Sequence, residues 1–294
     1  MGSHGVRATR FQPGRGWGPE TSIGNDTSEA TNPDAAADSL GNVVVVWQQA
    51  GSAGYDVWSN RFVAGTGWTG PKPVETNDNG SVDYPRVAVD AAGNALVVWE
   101  QDDGGGMSSP PHAYIWANRY IVGSGWQTPG LLGANVTGNA SFPTVGVAPG
   151  GDAVVVWRFF APNFSGILGR SFSAYSGWSE VSVLDYGTSN LVGPPEAKMD
   201  SQGHATAAWG RSSNGVGRMV GARFAGQAGW SPAASIGPSD GFSAGRPSLA
   251  VDLGGNATAV WRAYDGSHYR LVAARCSATE GWQVAEILNE GDGS

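Results

Sequence analysis

Side chains able to do chemistry gather in a few short stretches of this chain. Glu100, Asp102 and Asp103 sit close together, and paired acids of this kind serve glycoside hydrolysis, one protonating the leaving oxygen while the other attacks or activates water. His112 with Tyr114, and His268 with Tyr269 and Arg270, form a second set in which an imidazole or phenol takes a proton beside a uronate carboxylate, as in a polysaccharide lyase. Gln101, Arg158, Arg211 and Arg262 complete the candidates for ligand contact. His and Cys spacings of the metal-binding kind do not occur, and the Asn77-Asp-Asn-Gly80 stretch has too few ligands for a dedicated calcium loop, so neither metal nor cofactor is expected.

What must position these residues is a repeat. Trp47, Trp99, Trp157, Trp209 and Trp261 each end an apolar run, at intervals of 52, 58, 52 and 52 residues. A second series, Trp17, Trp68, Trp126, Trp178, Trp230 and Trp282, keeps the same beat and follows Gly each time. Each unit also has Pro fourteen and Gly six residues before the first Trp. Between them runs an alternating stretch such as Arg86-Val-Ala-Val-Asp90, the signature of a half-buried strand, named A here. The Asp and Gly that follow make a tight hairpin into strand B, the apolar run to Trp, whose continuous hydrophobicity says that both faces are covered. Strand C, as in Val57-Trp-Ser-Asn-Arg-Phe62, leads to the Gly-Trp pair, and a short strand D closes the unit.

No segment holds a helical apolar period, and 46 glycines in 294 residues disfavour long helices. The expected fold is all-β: a β-propeller of four-stranded antiparallel blades with tryptophans packed between them. Strands A and B occur five times, and C and D six times, because Arg7 to Trp17 opens the chain inside a unit. The units run over about 7–32, 33–84, 85–142, 143–194, 195–246 and 247–294, one domain without a linker. Two arrangements fit five complete blades plus an N-terminal half blade: a six-bladed ring lacking two inner strands, or five closed blades with a leftover hairpin. The six-bladed ring is preferred because the alternative exposes Phe11, Trp17 and an unpaired edge. A partner chain or self-association would complete the partial blade. Residues 1–6 read as a tag or an unstructured start.

Net charge is −8 with 14% charged residues and no basic cluster, which argues against a nucleic-acid partner. No apolar stretch is long enough to span a membrane. The single Cys276 replaces the strand-C aromatic of the last unit and reads as core filling. A polar surface rich in Asn, Ser, Thr and Gly points to an extracellular or cell-surface protein.

Scaffold positions repeat, whereas residues after the strand-B Trp do not: Gln48-Gln49, Glu100-Gln101, Arg158-Phe159, Gly210-Arg211 and Arg262-Ala263. The blade end bearing the B–C and D–A loops is therefore the expected ligand face. The second unit is six residues longer, and the extra length falls in Asp102 to His112, the candidate specificity loop. Asn25, Asp26, Asn77, Asp78, Asn79, Asp83, Tyr84, Asn135, Asn139, Asp185, Tyr186 and Asp240 add a rim of amides, carboxylates and rings suited to sugar hydroxyls. His204 falls in an A–B hairpin, at the opposite end.

The pattern Pro-x-Val-Ala-Val-Asp-x-x-Gly-Asn-x-x-Val-Val-Trp, then Trp-x-Asn-Arg-Tyr and Gly-Trp, resembles the repeats of secreted bacterial β-propellers. Its layout over residues 7–288 is also similar to lectin propellers of the tachylectin-2 and Photorhabdus-lectin kind. That resemblance implies sugar binding in pockets between blades, but no pocket residue here matches a lectin motif. Asp90-Ala-Ala-Gly93-Asn94 departs from the sialidase turn Ser-x-Asp-x-Gly-x-Thr-Trp. The functional expectation is a lectin-like propeller binding polysaccharide or surface glycan. A polysaccharide lyase or glycosidase with one central site, and a protein-interaction scaffold, remain open alternatives.

Overall fold

A computed structural model describes residues 5–52, 54–104, 112–133, 138–187, 191–213, 216–237, 243–264 and 266–288. Among them the chain is almost wholly β, with one short 3-10 turn at Gly226–Ala228, and its sheets are blades of the β-propeller class. The chain folds as two compact units, 1–131 and 132–294.

The first unit holds the half blade and blades 1 and 2. In blade 1 strands A (Ala30–Ala37), B (Val43–Ala50) and C (Tyr55–Val63) are antiparallel neighbours. The fourth strand is interrupted: Gly67–Trp68 pairs with the end of strand C and Lys72–Pro73 with its middle. Blade 2 repeats this in Val82–Val89, Ala95–Asp102, Ala113–Ile121, Gly125–Trp126 and Gly130–Leu131. The half blade has only the C and D parts, Arg7–Ala8, Phe11–Gln12, Gly16–Trp17 and Thr21–Ser22, and leaves Phe11 56% and Trp17 69% exposed.

The second unit holds blades 3, 4 and 5, whose B strands are Ala153–Ala161, His204–Ser213 and Ala257–Tyr264 and whose C strands are Phe164–Ser173, Val216–Ala225 and Tyr269–Ser277. Strand A is continuous in blade 3 (Asn139–Val147) but broken in two in blade 4 (Leu191–Val192, Glu196–Met199) and in blade 5 (Ser243–Ala244, Ser248–Val251).

The A–B hairpins show why the repeat has its punctuation. Gly41, Gly93, Gly151, Gly203 and Gly255 all adopt φ between 80° and 92°, the left-handed region that side chains resist. In blade 2 Asp90 Oδ1 accepts the Ala92 and Asn94 amides at 2.9 Å, and its Oδ2 accepts Asn94 Nδ2 at 2.8 Å. Asp38, Asp200 and Asp252 do the same, with His204 in the Asn place in blade 4. Asn42, Asn94 and Asn256 then accept the amide at the end of their own strand C.

Blades are held to their neighbours by indoles. The five strand-B tryptophans are at most 3% exposed. Trp47 lies in one cluster with Val6 and Ile23 of the half blade, and Trp99 with Val57 and Val74 of blade 1. In the second unit Trp209 packs with Ile167 and Leu184, and Trp261 with Met219 and Ile236. Each of these four indoles therefore covers one strand-C and one strand-D side chain of the preceding blade. The second series is less deeply placed, half-buried at Trp68, Trp126, Trp178, Trp230 and Trp282, and each ring meets its own strand-C aromatic or Cys276 across the strand pair.

Polar lacing adds direction. Asn60 Nδ2 donates to the Ile23 carbonyl and Asn118 Nδ2 to the Val74 carbonyl, both at 2.7 Å, so strand C of one blade is pinned to strand D of the one before. Arg10 lies 4.3 Å over the Phe62 ring and Arg61 4.5 Å over Tyr120. Truncating a junction indole leaves a large cavity between two sheets, so Trp209→Ala should cost about 3–5 kcal/mol in equilibrium denaturation, whereas Trp17→Ala on the exposed ring should leave the denaturation midpoint nearly unchanged.

Candidate functional site

The blade end carrying the B–C and D–A loops is described within each unit. In the first, Gln101 is 1% exposed: Trp99 Nε1 donates to its Oε1 at 3.0 Å, and its Nε2 donates to the Asn77 and Asn79 carbonyls at 2.6 and 3.1 Å. Expected among the ligand contacts, Gln101 is instead a strut that seats an indole and ties down the D–A loop. Gln49 does the same for Trp47 and the Glu29 carbonyl. Residues two apart point to one side of a strand, so the Trp-x-Gln spacing carried this signal.

Glu100 is half-buried, paired in register with Asp83 and Ile115, and Tyr114 sits opposite Gln101. Asp102 Oδ1 accepts the Gly104 amide at 2.8 Å. Asp103 and His112 close the base of the insertion: the Asp103 amide donates to the His112 carbonyl and the His112 amide to Asp103 Oδ1, both at 3.0 Å, with Nδ1 3.7 Å from Oδ2. Residues 105–111 of the expected specificity loop, together with Asn135 and Asp240, lie outside the described residues.

The structure also gathers residues that the sequence left apart. Asp56, at the start of strand C, meets Glu75 and Asp78 of the D–A loop, with one carboxylate oxygen from each lying within 4.8 Å of the others. Ionised, the three would offer oxygen ligands to a hard cation. Burial raises Glu75 to about 7, opposed by the Asn77 amide that donates to it and reinforced by the charges of Asp56 and Asp78. Burial, then Asp78, raises Asp56 as well.

A second unforeseen feature is backbone strain. Asn32, Tyr84 and Phe142 have φ of 49°, 49° and 54°, each directly before the strand-A proline and at a break in the A–B register. The fixed proline was legible; the left-handed residue before it was not, because a residue preceding proline ordinarily takes extended backbone. Asn32 Nδ2 donates to Gln48 Oε1 and, at 3.2 Å, to Asp83 Oδ1, making a small amide and carboxylate network there.

In the second unit, Arg158 Nε donates to Ser141 Oγ at 3.0 Å, and its guanidinium lies 4.8 Å over the Phe142 ring. Asp185 is buried with both oxygens engaged, one accepting Trp209 Nε1 at 2.8 Å and the other 3.0 Å from Arg211 Nη1. Next to it in sequence, Tyr186 is 68% exposed and stacks parallel on Phe164, whose other neighbour is the buried Phe159. Glu196 joins Lys198 at 3.2 Å and Arg246 at 3.3 Å. Arg262 lies 4.2 Å over the exposed Tyr269 ring, and His268 is exposed beside it. Away from these loops, each unit has a hollow between neighbouring blades, about 440 Å³ against Arg61, Lys72, Tyr120 and Trp126, and about 640 Å³ against Trp178, Glu180, Gln202 and Phe224.

No protein-family model matches the sequence, and no curated protein matches it. Solved structures do resemble it. A protein of unknown function from Dyadobacter fermentans DSM 18053 aligns over 90% of this chain and 84% of its own, with TM-score 0.57 and 14% identity. An ulvan lyase, of a new polysaccharide lyase family and bound to -[GlcA(1-4)Rha3S]-, aligns over 90% of this chain and 69% of its own, with TM-score 0.57 and 10% identity. Puromycin hydrolase in complex, as its S511A mutant, covers 94% of this chain and 49% of its own at TM-score 0.51 and 14% identity. At these identities the likeness establishes the propeller fold, and that fold carries unlike chemistries.

The sign of the Glu75 effect is fixed by its raised value. The native state binds this proton more tightly than the unfolded chain, so the stability it lends is full below about pH 4.5 and is lost as pH rises through about 7. Glu75→Gln, which keeps the shape without the charge, should match the parent at pH 4 and exceed it at pH 8 by roughly 1–3 kcal/mol in thermal or chemical unfolding.

Proposed function

We propose that this protein is a lectin-like, extracellular carbohydrate-binding propeller whose loop-bearing blade ends take an acidic polysaccharide. The observation that carries this reading is the pairing of an exposed, pre-stacked ring with oriented cations. Tyr186 presents a flat face backed by Phe164, and the neighbouring Asp185 fixes Arg211. Tyr269 is likewise exposed under Arg262. A sugar ring lays its C–H face on such an aromatic at small entropic cost, because the ring is already held. A guanidinium fork matches carboxylate or sulfate. The ulvan lyase complex, with its glucuronate and sulfated rhamnose, supports the choice of an acidic chain. Extracellular placement accords with such a ligand.

An enzyme with one acidic centre is the second reading, and Glu75 favours it, since a carboxyl raised to about 7 beside two other carboxyl groups is how general acids are made. Burial of Glu75 under its loop argues for the binding reading.

Titration calorimetry against ulvan, polygalacturonate and neutral dextran separates these readings. Binding to the acidic chains, weakened about tenfold by Tyr186→Ala and by Arg211→Ala and screened by salt, is expected. Release of unsaturated uronate or reducing ends, abolished in Glu75→Gln, would instead establish the enzyme; absence of any polysaccharide affinity would sink both.

A further inference from the structure

At three blade junctions an arginine near the end of strand C fills the space up to the next blade. Arg10, Arg61 and Arg223 each stand one residue before the one that pairs with the Gly-Trp indole. Arg10 and Arg61 lie over the Phe62 and Tyr120 rings of the following blade. Arg61 Nη2 donates to the Gly93 carbonyl at 3.4 Å and Arg223 Nη2 to the Gly255 carbonyl at 3.2 Å, each glycine being the turn residue of the following A–B hairpin. A carboxylate completes the set. Asp38 Oδ2 and Arg61 Nη2 share the space beside Gly93, and Asp200 Oδ2 and Arg223 Nη2 that beside Gly255.

Between blades 3 and 4 the arginine is missing. Ser171 holds its register, opposite Val154 as Arg61 is opposite Val44 and Arg223 opposite Thr206. The remaining parts are all in place. Phe224 supplies the ring, and among the described residues no guanidinium lies over it. Gly203 keeps the left-handed turn at φ 85°, and Asp152 Oδ2 lies beside it, 3.9 Å from where a Cβ would stand. Asp152 takes the hairpin place of Asn42 and Asn94, and its Oδ1 accepts the Ala174 amide as theirs accept Ala64 and Val122, so Oδ2 is left for the hollow. That hollow measures about 640 Å³, against about 440 Å³ where Arg61 is present. Asp152, Glu180, Trp178, Met199 and Phe224 line it, with no Lys, Arg or His among its described lining residues.

We propose that the hollow between blades 3 and 4 is a binding site for a guanidinium group, which takes the place of the arginine that Ser171 lacks. Its flat face lies on Phe224, and its N–H groups donate to the Asp152 carboxylate and the Gly203 carbonyl. The planar, weakly hydrated guanidinium suits a ring beside a carboxylate better than an ammonium does, because it can stack and donate at once. The site is away from the B–C and D–A loops and is independent of the carbohydrate reading.

Two probes separate the sources of such a group: agmatine for a free small molecule, and N-acetyl-arginine methylamide for an arginine within a polypeptide. Each is titrated into the full chain while amide NMR shifts are followed. Saturable millimolar binding of at least one is expected, with shifts gathered at Ser171, Gly203 and Phe224, and the tighter probe identifies the source. The neutral citrulline analogue should bind about tenfold more weakly or worse, as should either probe to Asp152→Asn, which can still accept from Ala174. Ser171→Arg restores the missing side chain and should abolish binding. Absence of saturable shifts from both probes overturns the proposal, as does equal affinity for the citrulline analogue or binding that survives Asp152→Asn and Ser171→Arg.

Discussion

Everything in this molecule depends on a large aromatic ring being buried between sheets with its one polar atom satisfied. A strand-B indole brings more apolar area to a blade junction than an aliphatic side chain, but it also carries an N–H that must find an acceptor once water is excluded. The chain solves this differently from blade to blade. Trp47 and Trp99 use glutamines two residues on, and Trp209 uses Asp185 of the preceding blade. Each solution reaches into the D–A loop region, so the same contact that seals the junction shapes the loop end.

That coupling explains how functional variety can sit on a repeating frame. In blade 2 the acceptor, Gln101, spends its remaining donors on loop carbonyls and rigidifies the stretch from Asn77 to Asn79. In blade 4 the acceptor is a carboxylate, which can hold Arg211 as well and so presents a cation beside the exposed Tyr186. A neutral acceptor yields a closed loop, and a charged one yields an oriented arginine. Asp56, Glu75 and Asp78 are crowded together, and there burial, reinforced by the two neighbouring charges, raises Glu75 to about 7.

Much of the fold was legible because it repeats. The five A–B hairpins, the Gly in each and the Asp in four of them, and the role of His204 as a turn residue all arise from local chemistry that needs only a few neighbouring residues. The interrupted fourth strand was not legible, since Gly67–Trp68 and Lys72–Pro73 are too short to show a period. At the loop-bearing blade ends, Asp185 and Tyr186 were legible only as polar and aromatic residues of a D–A connection, and Gln101, expected among the contacts because the residues after the strand-B Trp vary, is buried against its own indole.

The sequence by itself determined the strand grammar, the acidic and polar character, and which positions belong to the frame, because each of these is set by spacing, side-chain direction and turn stereochemistry along the chain. Tertiary structure alone decided that Asp185 lies between an indole and a guanidinium, that the Asp56, Glu75 and Asp78 carboxylates meet, and that a left-handed residue precedes three prolines. Those outcomes depend on distances between residues far apart in the chain and on how much water each group loses, and neither quantity is written in the order of amino acids.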